Sequence, residues 1–181
     1  MCRSFSRMRS SAMRHSNRAP EGRGRVTTAA TVALNRAGVA FTPHVYDHDS
    51  AATDFGAEAA VALGVEPDRV FKTLMVDTDN GLAIGIVSVS SKLDVKALAA
   101  AVGAKRGAMA EAVVAERKSG YVVGGISPFG QKTALPTVLD DLALLFETIY
   151  VSGGRRGFDV EVSPADLVAA TRGQVAVIRR A

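Results

Sequence analysis

The clearest hydrophobic pattern in the chain is Val70-Phe71-Lys72-Thr73-Leu74-Met75-Val76, an apolar run dominated by β-branched and aromatic residues that predicts a strand. One lysine interrupts it. An unpaired buried ammonium costs on the order of several kcal/mol. Lys72 therefore either turns outward, the ordinary place for a lysine, or stands in a cleft where it meets an anion. Asn80-Gly81 follows as a hairpin turn, and residues 82–89 read as the returning strand.

On the N-terminal side, residues 26–37 read as a helix capped by Thr27 or Thr28 and stopped by Gly38. Residues 39–46 read as a strand that Pro43 assigns to an edge. Thr53 or Asp54 caps a short helix through Leu63, closed by Gly64, with Phe55 in its first turn. Beyond the hairpin, helices are predicted over 91–102 and 109–117, and a strand over 120–123 that runs into Gly124-Gly125. Strands follow at 135–140, 146–151 and 158–162, the last two joined by a glycine-rich turn at 152–157. Ser163-Pro164-Ala165-Asp166 is a helix start, with Gly173 as the stop and a last strand over 174–178. Strands and helices do not alternate as regular βαβ units, which favours an α+β class over a doubly wound one.

Composition changes the picture in one place. The net charge of +4 is uneven: residues 1–25 hold seven arginines against Glu21 alone, and the remaining 156 residues hold 15 basic and 17 acidic side chains. The high isoelectric point belongs to the first 25 residues, so any nucleic acid is met locally and not over a broad basic face. That Arg- and Ser-rich stretch cannot form a core and reads as a disordered extension; it lacks the apolar segment of a secretory signal, and the rest, 26–181, reads as one domain. A transit-peptide-like composition without an amphipathic period, and alternative starts at Met8 and Met13, are the other readings of it. The single cysteine, Cys2, lies there too, which excludes a disulfide framework and a cysteine nucleophile in the body, and points to the reducing cytoplasm. No apolar run is long enough to cross a bilayer, so no membrane partner is expected.

Two groups of residues could carry chemistry. The His44-Val45-Tyr46-Asp47-His48-Asp49 segment tempts as a metal cluster, but on a strand the histidines and aspartates take opposite faces, and no ligand spacing is completed. No metal and no cofactor are expected. Tyr46 could stack on a base or ribose. The second group pairs Lys72, a point charge suited to phosphate, and Thr73 with Gly124-Gly125-Ile126-Ser127-Pro128, a loop whose backbone N–H groups could cradle an anion or a carbonyl oxygen. No Walker glycines precede Lys72-Thr73. Arg155 and Arg156, in what reads first as a structural hairpin, could meet RNA phosphates.

These motifs taken together are similar to a known family. Val70-Phe71-Lys72-Thr73-Leu74, the run from Gly120 to Lys132, Leu135-Pro136-Thr137 and the run from Tyr150 to Gly157 resemble, in order, the YbaK family, free-standing relatives of the editing domain of bacterial prolyl-tRNA synthetases. Tyr46 to Asp49 and Phe55-Gly56 resemble its N-terminal part. The resemblance implies a mixed fold on a curved, barrel-like β-sheet surrounded by helices, and clearance of a mischarged tRNA, Cys-tRNA(Pro) foremost. It implies that Lys72 anchors the 3′-terminal adenosine region, that Tyr46, Phe55 and Thr73 line the pocket, and that Gly124, Gly125, Ile126, Ser127 and Pro128 hold the aminoacyl carbonyl. It further implies that the substrate's own thiol attacks the ester. The Ser88 to Lys92 connection is shorter than the family pattern, which bears on substrate range. Alternatives are an alanyl-tRNA(Pro) deacylase and a non-catalytic module that binds tRNA or prolyl-tRNA synthetase.

Overall fold

The computed structural model describes residues 26–180; residues 1–25, on which the N-terminal expectations fall, lie outside the described residues. The fold is built on the long hairpin of β2 (Val70–Thr78) and β3 (Gly81–Ser88), paired antiparallel without interruption from Phe71–Ser88 to Thr78–Gly81. Asp79 and Asn80 make the turn, and Gly81, at φ +102°, opens β3, so the hairpin forms where the Asn80-Gly81 signal predicts it. Outward from β3 lie β6 (Thr137–Asp140) and β9 (Gln174–Ala176), both parallel to their neighbours. Outward from β2 lie β7 (Ile149–Arg155), parallel to β2, then β8 (Phe158–Val162), then β1 (Thr42–Val45). Pro43 sits on β1, which ends the sheet, where its missing N–H costs no ladder bond.

The class is mixed α/β, as expected. The sheet is open: its path runs from β1 to β9, and the described strands close no barrel. β4 (Lys92–Leu93) and β10 (Arg179–Arg180) form a separate two-stranded ribbon.

Both faces of the sheet are buried. One face packs Phe71, Ile84, Ile86, Leu139, Ile149 and Phe158 against α1 (Ala29–Arg36), α4 (Ala112–Ser119) and α5 (Pro164–Thr171). The other packs Val76, Val87 and Val138 against α3 (Val95–Ala101), and Val70 and Tyr150 against α2 (Phe55–Leu63). This is why β3 reads as a nearly continuous apolar run and does not alternate. Helix starts follow their sequence signals: Thr28, Asp54, Asp94 and Ser163 each accept a backbone N–H of the first turn.

Four predicted elements differ. Residues 91–94 are not helical: Lys92 and Leu93 form β4, and α3 starts only at Val95. Met109 is not helical: it ends β5 (Gly107–Met109), which adds to the outer edge of β2, and α4 starts only at Ala112. Residues 120–123 are not a strand: Gly120 closes α4 in the left-handed region, and the Val123 N–H goes to the Glu116 carboxylate. The glycine-rich turn at 152–157 is mostly strand, since Gly153 and Gly154 lie in β7 as a bulge between Ser152 and Arg155.

That bulge has a consequence for the sheet. On its outer edge β2 pairs with β7 only at Val70 and Phe71, and with β5 only from Val76 onward. Between them, from Lys72 to Met75, β2 has no strand beside it.

Asp140, fully buried at the end of β6, ties down the C-terminal ribbon. Its carboxylate accepts the Leu142 and Ile178 N–H groups and pairs with Arg179. Asp140→Ala leaves a buried N–H unpaired and is expected to cost about 2–4 kcal/mol in urea unfolding; a loss below about 1 kcal/mol would show that the ribbon is not held by this residue.

Candidate active site

The gap beside β2 opens into a cavity of about 500 Å³. Its walls include the whole run from Val70 to Met75, the start of α2, Met109, Ala110, Ala112 and Ala115, and Val123, Gly124 and Ile126 of the following loop. Most of the surface is apolar, and the few polar groups converge on it, the usual make-up of a small-molecule site.

Of the sequence-predicted residues, Tyr46, Phe55, Lys72, Thr73, Gly124 and Ile126 line this one cavity. Lys72 takes the cleft and not the outward alternative. Partial burial lowers its pKa, opposed by the charge of Asp54, and no carboxylate of the described residues lies within ion-pair distance. Thr73 is buried, and its Oγ1 has no hydrogen-bond partner. A buried hydroxyl left unpaired costs about 1–3 kcal/mol, which a ligand group in the cavity would relieve.

Gly124 and Phe55 fit each other closely. Gly124 has φ +85°, and a Cβ there would sit 2.6 Å from the Phe55 ring. The Arg156 guanidinium lies 4.5 Å from the centre of that ring, and its Nε and Nη2 donate to the Val123 carbonyl at 3.0 and 2.8 Å. One arginine thus fastens the loop and the helix start together across the mouth.

Four predicted residues fall outside the lining. Gly125 is buried behind it; its N–H donates to the Val122 carbonyl, so it is not free for an oxyanion, and a Cβ would meet the Arg155 backbone at 2.9 Å. Ser127 is fully buried and turned inward, its Oγ accepting the Phe129 N–H. Pro128 is buried beside it. Arg155 is exposed and lies over Phe158, with its guanidinium carbon 5.8 Å from the ring centre. The structure brings Arg156, not Arg155, to the mouth. His44 and His48 do not meet: they pair with Glu161 and Glu58.

Sequence reasoning missed Asp159. It faces the cavity from β8, is 5% exposed and has no side-chain hydrogen bond among the described residues. Burial pushes its carboxyl up to about 7. Tyr46, in the same cavity, is also raised, first by burial and then by Asp159 and Glu58. The available signal was an aspartate set inside Phe158-Asp159-Val160, which looks like the solvent side of an alternating strand until both faces prove to be covered. Ser152, on the bulged segment of β7, also reaches the cavity.

Fold and site together define a pocket-bearing α/β domain with one cation and one isolated carboxyl. The model of the aminoacyl-tRNA editing domain matches residues 49–170, and the chain belongs to that family. A curated Enterococcus faecalis protein, EbsC, provisionally named a Cys-tRNA(Pro)/Cys-tRNA(Cys) deacylase, is 38% identical over 120 residues, 66% of this chain and 73% of that protein. A solved structure described as a provisional trans-editing enzyme for prolyl-tRNA synthetase superposes with a TM-score of 0.73 at 26% identity, covering 86% of this chain and 99% of the other. The hypothetical protein APE2540 gives 0.76 at 27% identity, covering 84% and 100%.

The Asp159 shift makes a stability prediction. Between its unfolded value of 3.8 and its folded value of about 7 the native protein holds a proton that the unfolded chain releases, so stability falls as pH rises through that window. Asp159→Asn is expected to flatten this slope and to be more stable than wild type at about pH 8, by about 1–4 kcal/mol, with no gain at about pH 4. Urea unfolding across that range checks it; an equal change at every pH contradicts it.

Proposed function

We propose that this protein is a trans-editing deacylase that clears the cysteinyl ester of mischarged tRNA(Pro). The observation that carries the reading is the pairing of Lys72 and the unpartnered Asp159 across one apolar cavity, in a chain of the aminoacyl-tRNA editing family. An aminoacyl ester of a terminal adenosine carries an ammonium at one end and a phosphate at the other. Asp159 takes the ammonium, which would hold the carboxylate in its charged form. Lys72 takes the phosphate side, and the Gly124 backbone stands near the ester. The name of the Enterococcus relative supports cysteine as the amino acid.

The described residues include no cysteine. The nucleophile is the substrate's side chain. Its sulfur bonds to the ester carbon, the bond from that carbon to the tRNA oxygen breaks, and the thiol proton ends on that oxygen. The cavity orients the thiol and stabilises the charge that develops on the carbonyl oxygen. Serine and alanine esters lack the thiol and are spared. The near-neutral body gives little grip on the rest of the tRNA, so a prolyl-tRNA synthetase partner supplies the choice of tRNA, in the cytoplasm where charging takes place.

The test is ester loss from Cys-tRNA(Pro), Ala-tRNA(Pro) and Ser-tRNA(Pro) with wild type and Lys72→Ala. Loss of the cysteinyl ester alone, slowed about 100-fold by Lys72→Ala, is expected. Equal loss of the alanyl ester would assign alanine editing instead. No loss from any of the three would leave a binding module.

A further inference from the structure

The unpaired stretch of β2 presents more than side chains to the cavity. Two backbone bonds fix which way its peptide groups point. The Val89 N–H donates to the Val70 carbonyl, so even-numbered residues of β2 direct their main-chain groups at β3. The Ala110 N–H donates to the Met75 carbonyl, so odd-numbered residues direct theirs at the opposite edge. A strand alternates its peptide groups from edge to edge, and the β2–β3 register is unbroken over this range. Thr73 therefore points both its N–H and its C=O into the gap, and Met75 points its N–H there.

None of the three has a ladder partner among the described residues. The parallel register with β7 stops at Phe71–Val151, one step short of the bond that would join the Thr73 N–H to Ser152. The antiparallel register with β5 starts at Val76–Met109, one step beyond the bond that would join the Met75 N–H to Ala110. Buried main-chain groups are almost always paired. Here a donor, an acceptor and a donor stand in a row, beside Thr73 Oγ1, a buried side-chain oxygen that also has no partner among the described residues.

We propose that the edge of β2 at Thr73 and Met75 reads the base of the substrate's terminal adenosine through its main chain. This rests on the editing reading of the cavity and deepens it. The Thr73 C=O accepts the adenine 6-amino group, and the Met75 N–H donates to adenine N1. A carbonyl at one residue and an N–H two residues on, along one strand edge, match the adjacent donor and acceptor of that base. A peptide strand does not fit the role, because β7 and β5 bracket the gap and leave room for three main-chain groups. A flat heterocycle does: Met75, Met109, Ala110 and Ala112 line this end of the cavity with apolar and thioether surface suited to its faces. The ammonium site at Asp159 lies toward β7 and β8, so the substrate spans the cavity with its amino acid at that end and its base at the β5 end.

The test changes the ligand and leaves the protein intact. Backbone amide NMR of the full chain is followed as it is titrated with adenosine 5′-monophosphate, inosine 5′-monophosphate and 7-deaza-adenosine 5′-monophosphate. The adenosine nucleotide is expected to move the Met75 amide proton downfield. The inosine nucleotide, which carries a proton on N1 and an oxygen at position 6, is expected to bind at least about ten-fold more weakly. The 7-deaza nucleotide, altered away from that edge, is expected to match adenosine. Inosine binding within about two-fold of adenosine, or adenosine binding that leaves the Met75 amide unmoved, overturns the proposal. So does the absence of saturable adenosine binding in a preparation that clears the cysteinyl ester. Binding as described in a preparation that clears no ester upholds the base site and removes the editing reading.

Discussion

Everything at the site depends on one missing pairing. β2 is the central strand, fully matched to β3, yet its other edge is covered only at its two ends. An unpaired buried edge is costly, and here the cost is tolerated because the flanking strands are held elsewhere. β7 is pulled aside by its bulge at Ser152–Arg155, which the Thr28 hydroxyl anchors through the Gly153 carbonyl. β5 is short and joins only the far end of β2. Bulges commonly re-aim a strand next to a functional site, and this one turns a sheet edge into the wall of a cavity.

The electrostatics follow from that opening. A lysine in the middle of a buried strand would be prohibitive in a closed sheet. In the gap, Lys72 reaches partial solvent, and burial still weakens its hold on its proton. Asp159 is placed on the far wall with no side-chain partner among the described residues, its charge disfavoured by the same dry surroundings. Neither group has an ion-pair partner among the described residues. In the proposed complex both are met by one molecule that carries an anion and an ammonium at opposite ends, which is the chemical outline of an aminoacyl nucleotide.

Much of this was legible in the sequence, and the remainder was hidden for a physical reason. Local signals agree with the structure: Asn80-Gly81 marks the hairpin, Ser163 starts its helix, Thr28 and Asp54 are the caps among the pairs Thr27/Thr28 and Thr53/Asp54, and Pro43 marks an edge strand. Lys72, Thr73, Tyr46, Phe55 and Gly124 were placed at a pocket on family likeness, and they share one. What failed were features decided by partners far along the chain. Met109 looks like the start of α4 and becomes strand only because β2 offers it an edge. Gly153 and Gly154 look like a turn and become a bulge because β2 and β8 hold the flanks. Asp159 looks solvent-facing because nothing in its neighbours shows that Tyr46 and the start of α2 cover that side. Gly125, Ser127 and Pro128 belong to the motif that marks the family, but they support the loop from behind, and the motif alone does not separate the residue that touches a ligand from the residue that holds it in place.

In the proposed reaction the protein supplies positioning and the substrate supplies the nucleophile. The most direct test is the rate of ester loss from tRNA(Pro) charged with S-methylcysteine, measured beside the cysteinyl ester under the same conditions. The methyl group keeps the sulfur and adds one carbon, but removes the ionisable proton. That division of roles predicts rapid loss of the cysteinyl ester and loss of the S-methyl ester no faster than without the protein. Comparable rates for the two would contradict it, and would move the search for a nucleophile to a water held by Asp159.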